Sequence, residues 1–153
     1  MLYYFAMHKK IMDKKKTSWG EVGDWYQRLL QGEGTYQKEV ILPNLLRLLE
    51  IQKGETILDL ASGPGFFSQE FLKKGAKVIG ADIAKELIEI AKSNVQEDQR
   101  GRILYFVSPA DDLKFLKDES VDKAVIVLAI QNMENVQGVF NECGRVLKEN
   151  GKL

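Results

Sequence analysis

Residues 57–71 read ILDLASGPGFFSQEF, an apolar strand-like segment that breaks into small residues and glycines, then turns aromatic and helix-forming. Strand, glycine bend and helix in direct succession open a βαβ unit, whose ligands bind just beyond the strand. Gly63 and Gly65 flank Pro64, where missing side chains let the backbone take positive φ and approach a ligand. The N–H groups opening the helix at Phe66 then face an anion. A plain tight turn reads the same way, because Gly-x-Gly is a common pattern. Asp59 narrows the choice. A carboxylate in the apolar run opposes a pyrophosphate and favours a ligand with an ammonium group, held by a charge-assisted bond. The ligand expected here is zwitterionic or cationic at this end.

Working outward, the pattern predicts strands over 56–60, 77–81, 103–107 and 123–130, and helices over 66–74, 84–96 and 136–148. Leu87, Ala91 and Val95 recur at helical spacing, and Val136, Val139, Phe140, Cys143, Val146 and Leu147 form one apolar stripe. The run AVIVLAI marks a strand buried on both faces of a parallel sheet. The fold class is therefore α/β, a Rossmann-like, doubly wound and mainly parallel sheet with right-handed crossovers. Upstream, SWGEVGDWYQRLL and GTYQKEVILPNLLRLLEI read as N-terminal helices joined by QGEG. Pro43 kinks the second helix or begins a new one. Leu45, Leu46, Leu48 and Leu49 are expected in the core.

At 153 residues the chain suits one domain. The expected organisation is a disordered leader over 1–16, a helical cap over 17–52 and a Rossmann-like core over 53–153. MLYYFAM lacks a basic region before it and a cleavage site after it, so it reads as a frayed leader upstream of a start at Met7 or Met12. Lys+Arg and Asp+Glu both total 22, leaving no net field toward nucleic acid or an anionic membrane. No apolar run approaches the roughly 20 residues of a membrane span. Cys143, the single cysteine, forms no internal disulfide and is expected as a buried, inert thiol, which suits the cytoplasm. His8 is a bystander in the leader, and with Cys143 also alone of its kind no metal cluster is expected.

VIGAD places a second carboxylate, Asp82, at the end of the second strand, about 20 residues after the glycine bend, where an acid takes both hydroxyls of a ribose. An N-cap for the following helix is the alternative use, and the two can coexist.

ILDLASGPG, VIGADI, FVSPADDL and VLAIQNMENV…GRVLKENGKL, in this order, resemble the class I methyltransferases that use S-adenosylmethionine, especially their small-molecule branch. The resemblance covers 55–153. It implies that Asp59, Ala61, Ser62, Gly63, Pro64 and Gly65 line the methionine part of the cofactor, with Asp59 toward its ammonium directly or through water. It further implies that Asp82 grips the ribose, Ile83 packs on the adenine and Leu128, with Ala129, passes beside the sulfonium. Pro109 stands where the family usually has an acid, so Asp111 is the substitute for the adenine amino contact, beside the Ala110 N–H. Ala61 replaces a family glycine and is expected to keep negative φ. Gln131 and Asn132 replace a frequent histidine pair and orient the acceptor, or else merely stabilise a loop. Tyr26 and Tyr36 are expected to reach the cofactor by the same resemblance, whereas Trp19 and Trp25 pack the first helix.

The family's sheet normally has seven strands, and Gly151 to Leu153 read as the start of the fifth. The expectation is a truncated sheet lacking the C-terminal strands, its fourth strand bare-edged and open to a homodimer. The implied activity is in-line methyl transfer to an N, O or C nucleophile of a small-molecule acceptor, with S-adenosylhomocysteine as product; nucleic acid is not the expected partner. A non-catalytic cofactor-binding fragment or subunit is the second reading. A nicotinamide-dependent oxidoreductase is the third, but it wants a glycine where Ser68 stands.

Overall fold

The computed structural model describes Arg28, Gly32 and residues 34–153. The expected leader, His8, Trp19, Trp25, Tyr26 and, save Arg28, the first expected helix lie outside the described residues. A π-helical turn, Gln37–Ile41, leads into α1 (Leu42–Leu49). Pro43 sits in the first turn of α1, where its missing N–H breaks no bond. Helical geometry sorts the leucines: Leu49 is buried and Leu42, Leu45 and Leu46 pack on the core, but Leu48 points outward and is exposed. The expectation of Leu48 in the core is thereby corrected.

The remaining elements are β1 (Thr56–Leu60), α2 (Phe66–Lys73), β2 (Lys77–Asp82), α3 (Lys85–Ser93), β3 (Ile103–Val107), β4 (Val121–Ile126), α4 (Val136–Val146) and β5 (Leu147–Lys152). The five strands form one sheet in the order β3-β2-β1-β4-β5, every pairing parallel. This is the expected Rossmann-like arrangement. Side chains alternate across the sheet. Ile57, Val78, Ile103 and Val125 meet Phe67, Phe71, Leu72, Ile88 and Ala91 of α2 and α3 on one face. Leu58, Leu60, Ala81 and Ala124 meet Val139, Cys143 and Val146 of α4 on the other. Burial pushes the Cys143 thiol up to about 11, as expected for an inert thiol, with Glu142 adding to the shift.

Several boundaries differ from the expected ones, most by one or two residues and three in ways that matter to the fold. α3 stops at Ser93, and a short 3-10 turn, Glu97–Gln99, carries the chain on. β4 ends at Ile126, because the apolar run continues into an exit loop at the site. α4 ends at Val146, and β5 begins at once, with Val121 paired to Leu147 and a register irregularity before Lys123 meets Lys152. The edge of β4 is therefore covered, and the bare-edge expectation is corrected. Phe140, expected in the apolar stripe, is 45% exposed at its margin.

No helix spans the crossover between β3 and β4, so α4 holds that segment by polar contacts. Glu142 Oε2 accepts the Leu113 N–H at 2.7 Å. Arg145 donates to the carbonyls of Leu113 and Leu116, each at 3.0 Å, and to the carboxylates of Glu142 and Asp118. Leu113, pinned by these bonds, is fully buried. At the rim where the strands begin, buried Lys123 pairs with Glu55 and donates to the Glu50 carbonyl, while Asp122 accepts from the Thr56 N–H and from Lys148.

Arg145→Met, which leaves those carbonyls and Glu142 without their donor, should lower stability by about 2–3 kcal/mol in urea unfolding at neutral pH. Arg145 holds the Glu142 carboxyl below its ordinary range against the opposing effect of burial. That part of the stabilisation is therefore present above the ordinary glutamate pKa and is lost as pH falls through the depressed one, so the gap between the variant and the wild type should narrow in acid, the carbonyl bonds accounting for what remains.

Candidate functional site

The strand order reverses direction beside β1, with β2 on one side and β4 on the other, and a crevice opens at such a switch point. The register sets its rim level: Leu60 pairs with both Ala81 and Ile126, and Asp82 pairs with Val107. The bend after β1 therefore lies against the ends of β2 and β4. The Ser62 N–H donates to the Ala81 carbonyl at 3.1 Å, and Gly65 N–H closes the bend onto the Ser62 carbonyl at 3.0 Å.

Asp59 is 2% exposed, on the α2 face of β1. Its Oδ2 accepts the Ser68 hydroxyl at 2.6 Å. Burial pushes its pKa up to about 7, the Ser68 bond opposing and the Asp82 charge reinforcing the rise. Asp82 is also buried. Its Oδ2 accepts the Gly63 N–H at 2.9 Å and its Oδ1 the Ala84 N–H at 2.8 Å. Burial raises its pKa as well, against those N–H groups. The cap of α3 is Ala84, without a side-chain bond, so Asp82 forms a turn two residues ahead rather than the N-cap. Each of its oxygens retains acceptor capacity for a ribose hydroxyl.

Ala61 lies at φ 56, not at the expected negative value. It turns the chain off the end of β1, and a side chain at that φ is strained. Leu128 also sits at positive φ, 54, and is 56% exposed on the exit from β4. Left-handed backbone thus borders the crevice at both Ala61 and Leu128. Gln131 donates its amide to the Leu128 carbonyl at 2.8 Å, a loop-stabilising bond, while Asn132 is exposed next to it. Ile83 is exposed beside Asp82, and Pro64 is buried within the bend. Asp111 Oδ2 accepts from Asn135 at 2.9 Å, which ties the loop after β3 to the start of α4, and Ala110 packs on the α4-side core. Tyr36 is exposed ahead of α1.

Sequence reasoning missed Tyr105. A Cβ on Gly80 would lie 2.4 Å from the Tyr105 ring, and one on Gly65 2.3 Å from its hydroxyl. The absent side chain at Gly65 thus makes room for Tyr105 from below, in addition to permitting φ 85. The lone glycine inside β2 was the available signal, since such a residue marks a close approach.

The methyltransferase-domain family matches residues 58–153. The chain belongs to that family. A demethylmenaquinone methyltransferase of Tropheryma whipplei is 31% identical over 107 residues, covering 70% of this chain and 43% of that protein. A ubiquinone biosynthesis O-methyltransferase of Coxiella burnetii is 29% identical over 120 residues, covering 74% and 49%. The chain thus spans less than half the length of these two relatives. Among solved structures, an S-adenosylmethionine-dependent methyltransferase from Mesorhizobium loti aligns with a TM-score of 0.66 at 27% identity, covering 78% of this chain and 52% of that one. A Methanococcus maripaludis chain aligns with a TM-score of 0.77 at 22% identity, covering 90% and 64%, which shows the shared fold. The resemblance to class I methyltransferases read from the motifs is borne out.

Ala61→Gly should relieve the left-handed strain and stabilise the chain by about 0.5–1 kcal/mol, measured by chemical denaturation. For Asp59 the folded pKa is raised, so wild-type stability is greatest below the ordinary aspartate pKa and falls as pH climbs to about 7. Asp59→Asn, without cofactor, should be more stable than wild type by about 2–4 kcal/mol at pH 8, and the difference should vanish near pH 4.

Proposed function

We propose that this chain binds S-adenosylmethionine in the crevice between β1, β2 and β4 and takes part in methyl transfer to a small-molecule acceptor. The observation that carries the reading is the pair of buried acids, Asp59 and Asp82, at the ends of neighbouring parallel strands across a bend strained at Ala61. Family membership supports the cofactor, and the donor set fits it. Asp59 lacks a cationic partner among the described residues, and its burial favours action on the ammonium through water or across the bend rather than by direct contact. Asp82 would hold the ribose, Ile83 the adenine face, and the Ala110 N–H and Asp111 the adenine edge. Ser62, Gly63, Pro64 and Gly65 would line the methionine part, with Leu128 beside the sulfonium and Tyr26 and Tyr36 closing from the N-terminal side.

The bound cofactor supplies the reactive methyl carbon. The residues of this chain would bind, orient and exclude water; Gln131 and Asn132 would orient the acceptor atom by hydrogen bonding. The quinone-pathway names of the two relatives above suggest a quinone-like or phenolic acceptor, and the balanced charge favours a small molecule over nucleic acid. The oxidoreductase reading is disfavoured by Ser68: where a dinucleotide site wants glycine, a buried serine bonds the carboxylate of Asp59, which would repel a pyrophosphate.

Calorimetric titration with S-adenosylmethionine and S-adenosylhomocysteine, followed by product assays with phenolic, quinone-like and amine acceptors, tests this reading. Binding with turnover supports it, and binding without turnover favours the non-catalytic alternative. Asp82→Asn should weaken either ligand by about 1.5–3 kcal/mol through lost charge-assisted bonds. An unchanged dissociation constant removes Asp82 from the ribose.

A further inference from the structure

Beneath the bend lies a set of polar side chains that the cofactor contacts leave unused. Ser62 Oγ, Gln69 Nε2 and Tyr105 Oη are each shielded from solvent without a well-formed hydrogen bond in the protein, although the Ser68 and Gln69 side chains lie near the Tyr105 hydroxyl. Tyr105 lies beside the Asp59–Ser68 pair and Gln69. The Tyr105 ring crosses Gly80, the ladder partner of Asp59, and its hydroxyl ends beneath Gly65. Ser62 Oγ approaches the same Gly80, 3.0 Å from where a Cβ would stand. Gln69 follows Ser68 on α2, its N–H bonded to the Gly65 carbonyl.

Buried polar groups left unpaired are costly, and phenylalanine at 105 would fill nearly the same volume without that cost. The chain nevertheless keeps a tyrosine and leaves two glycines bare around it. An internal water needs two to four polar partners. Here the Gln69 amide and the Tyr105 hydroxyl can donate to it, and Ser62 Oγ and the Asp59 carboxylate can accept from it. Burial raises the Tyr105 pKa, the Asp59 charge adding to the rise, so the phenol stays a neutral donor.

We propose that Tyr105 is a positioning residue for the cofactor site: with Gln69 and Ser62 it holds an internal water against Asp59, which stabilises the ionised carboxylate and aims it at the bend. The inference rests on the cofactor reading above. It gives the orphaned atoms one shared partner and supplies Asp59 with a donor in addition to the Ser68 hydroxyl. The groups facing Asp59 are Asp82 from β2, Tyr105 from β3, Ser68 and Gln69 from α2 and, from β4, its apolar ladder partner Val125. Among the described residues Asp82 is the one charged neighbour, and it acts in the same sense in every variant below.

The test is calorimetric titration of S-adenosylhomocysteine from about pH 5.5 to 8.5 with wild type, Tyr105→Phe, Gln69→Met and the double variant. The wild type should bind more tightly as Asp59 ionises. Tyr105→Phe should keep or raise the melting temperature, yet bind about fivefold to tenfold more weakly below neutrality, with the midpoint of its pH profile moved upward. Gln69→Met should move that midpoint the same way. Because both act through one water, the double variant should move it no further than the larger single change. A Tyr105→Phe protein with wild-type affinity and an unmoved midpoint overturns the proposal, as does one that fails to fold, since the hydroxyl would then be structural. A wild type that binds no ligand at any pH overturns the cofactor reading itself, and this inference with it.

Discussion

The carboxylate of Asp82 joins two pieces of backbone, the Gly63 N–H of the bend after β1 and the Ala84 N–H at the head of α3. The carbonyl of the same residue accepts from Ser108, at the exit of β3. One residue at the tip of β2 thus organises the exits of three neighbouring strands. A parallel sheet leaves the last N–H and C=O groups of its strands without ladder partners at this rim, and a short acidic side chain can satisfy donors from both sides. The cost is a buried negative charge close to a second one, Asp59, with the pKa of both raised by burial.

The two rims of the sheet treat charge in opposite ways. Where the strands begin, Glu55 and Asp122 are paired with Lys123 and Lys148, and both carboxyls lie below their ordinary range despite burial, which acts to raise them. Where the strands end, the two acids face N–H groups and hydroxyls but no cation among the described residues. Paired charges hold β1, β4 and β5 together at one end, whereas the uncompensated acids at the other lower the stability of the chain when ionised. Left-handed backbone does not follow this division: Ala61 and Leu128 hold positive φ on the acid-bearing rim, and Glu50 and Glu119 hold it ahead of β1 and β4.

The polar layer between α2 and the sheet departs from an ordinary core. Apolar contacts from Phe67, Phe71 and Leu72 would suffice to seat α2, yet Ser68 is fully buried against Asp59, and Tyr105 reaches under the bend. Tyr105 supports the bend from below, and the Ser68 bond opposes the burial-driven rise in the pKa of Asp59. Tyr105, on the outermost strand next to β2, thus packs directly against both Gly80 of β2 and Gly65 of the bend.

The sequence alone was enough for the sheet's class, the strands over 56–60 and 103–107, the glycine bend and the two acids, because each is a local pattern: alternation, small residues at a turn, a carboxylate ending an apolar run. Tertiary structure decided the rest. Leu147 and Lys148 continue the helical stripe of α4 in sequence but leave it to pair with β4, because a ladder beside Val121 satisfies backbone groups that another helical turn would not reach. Ala61 takes a left-handed conformation that its own side chain disfavours, since the neighbouring strands fix where the chain must turn. Gly65 serves the bend and also Tyr105, distant in sequence but adjacent in space. Propensity acts between neighbours in the chain, whereas burial, register and close approach exist only once the strands have met.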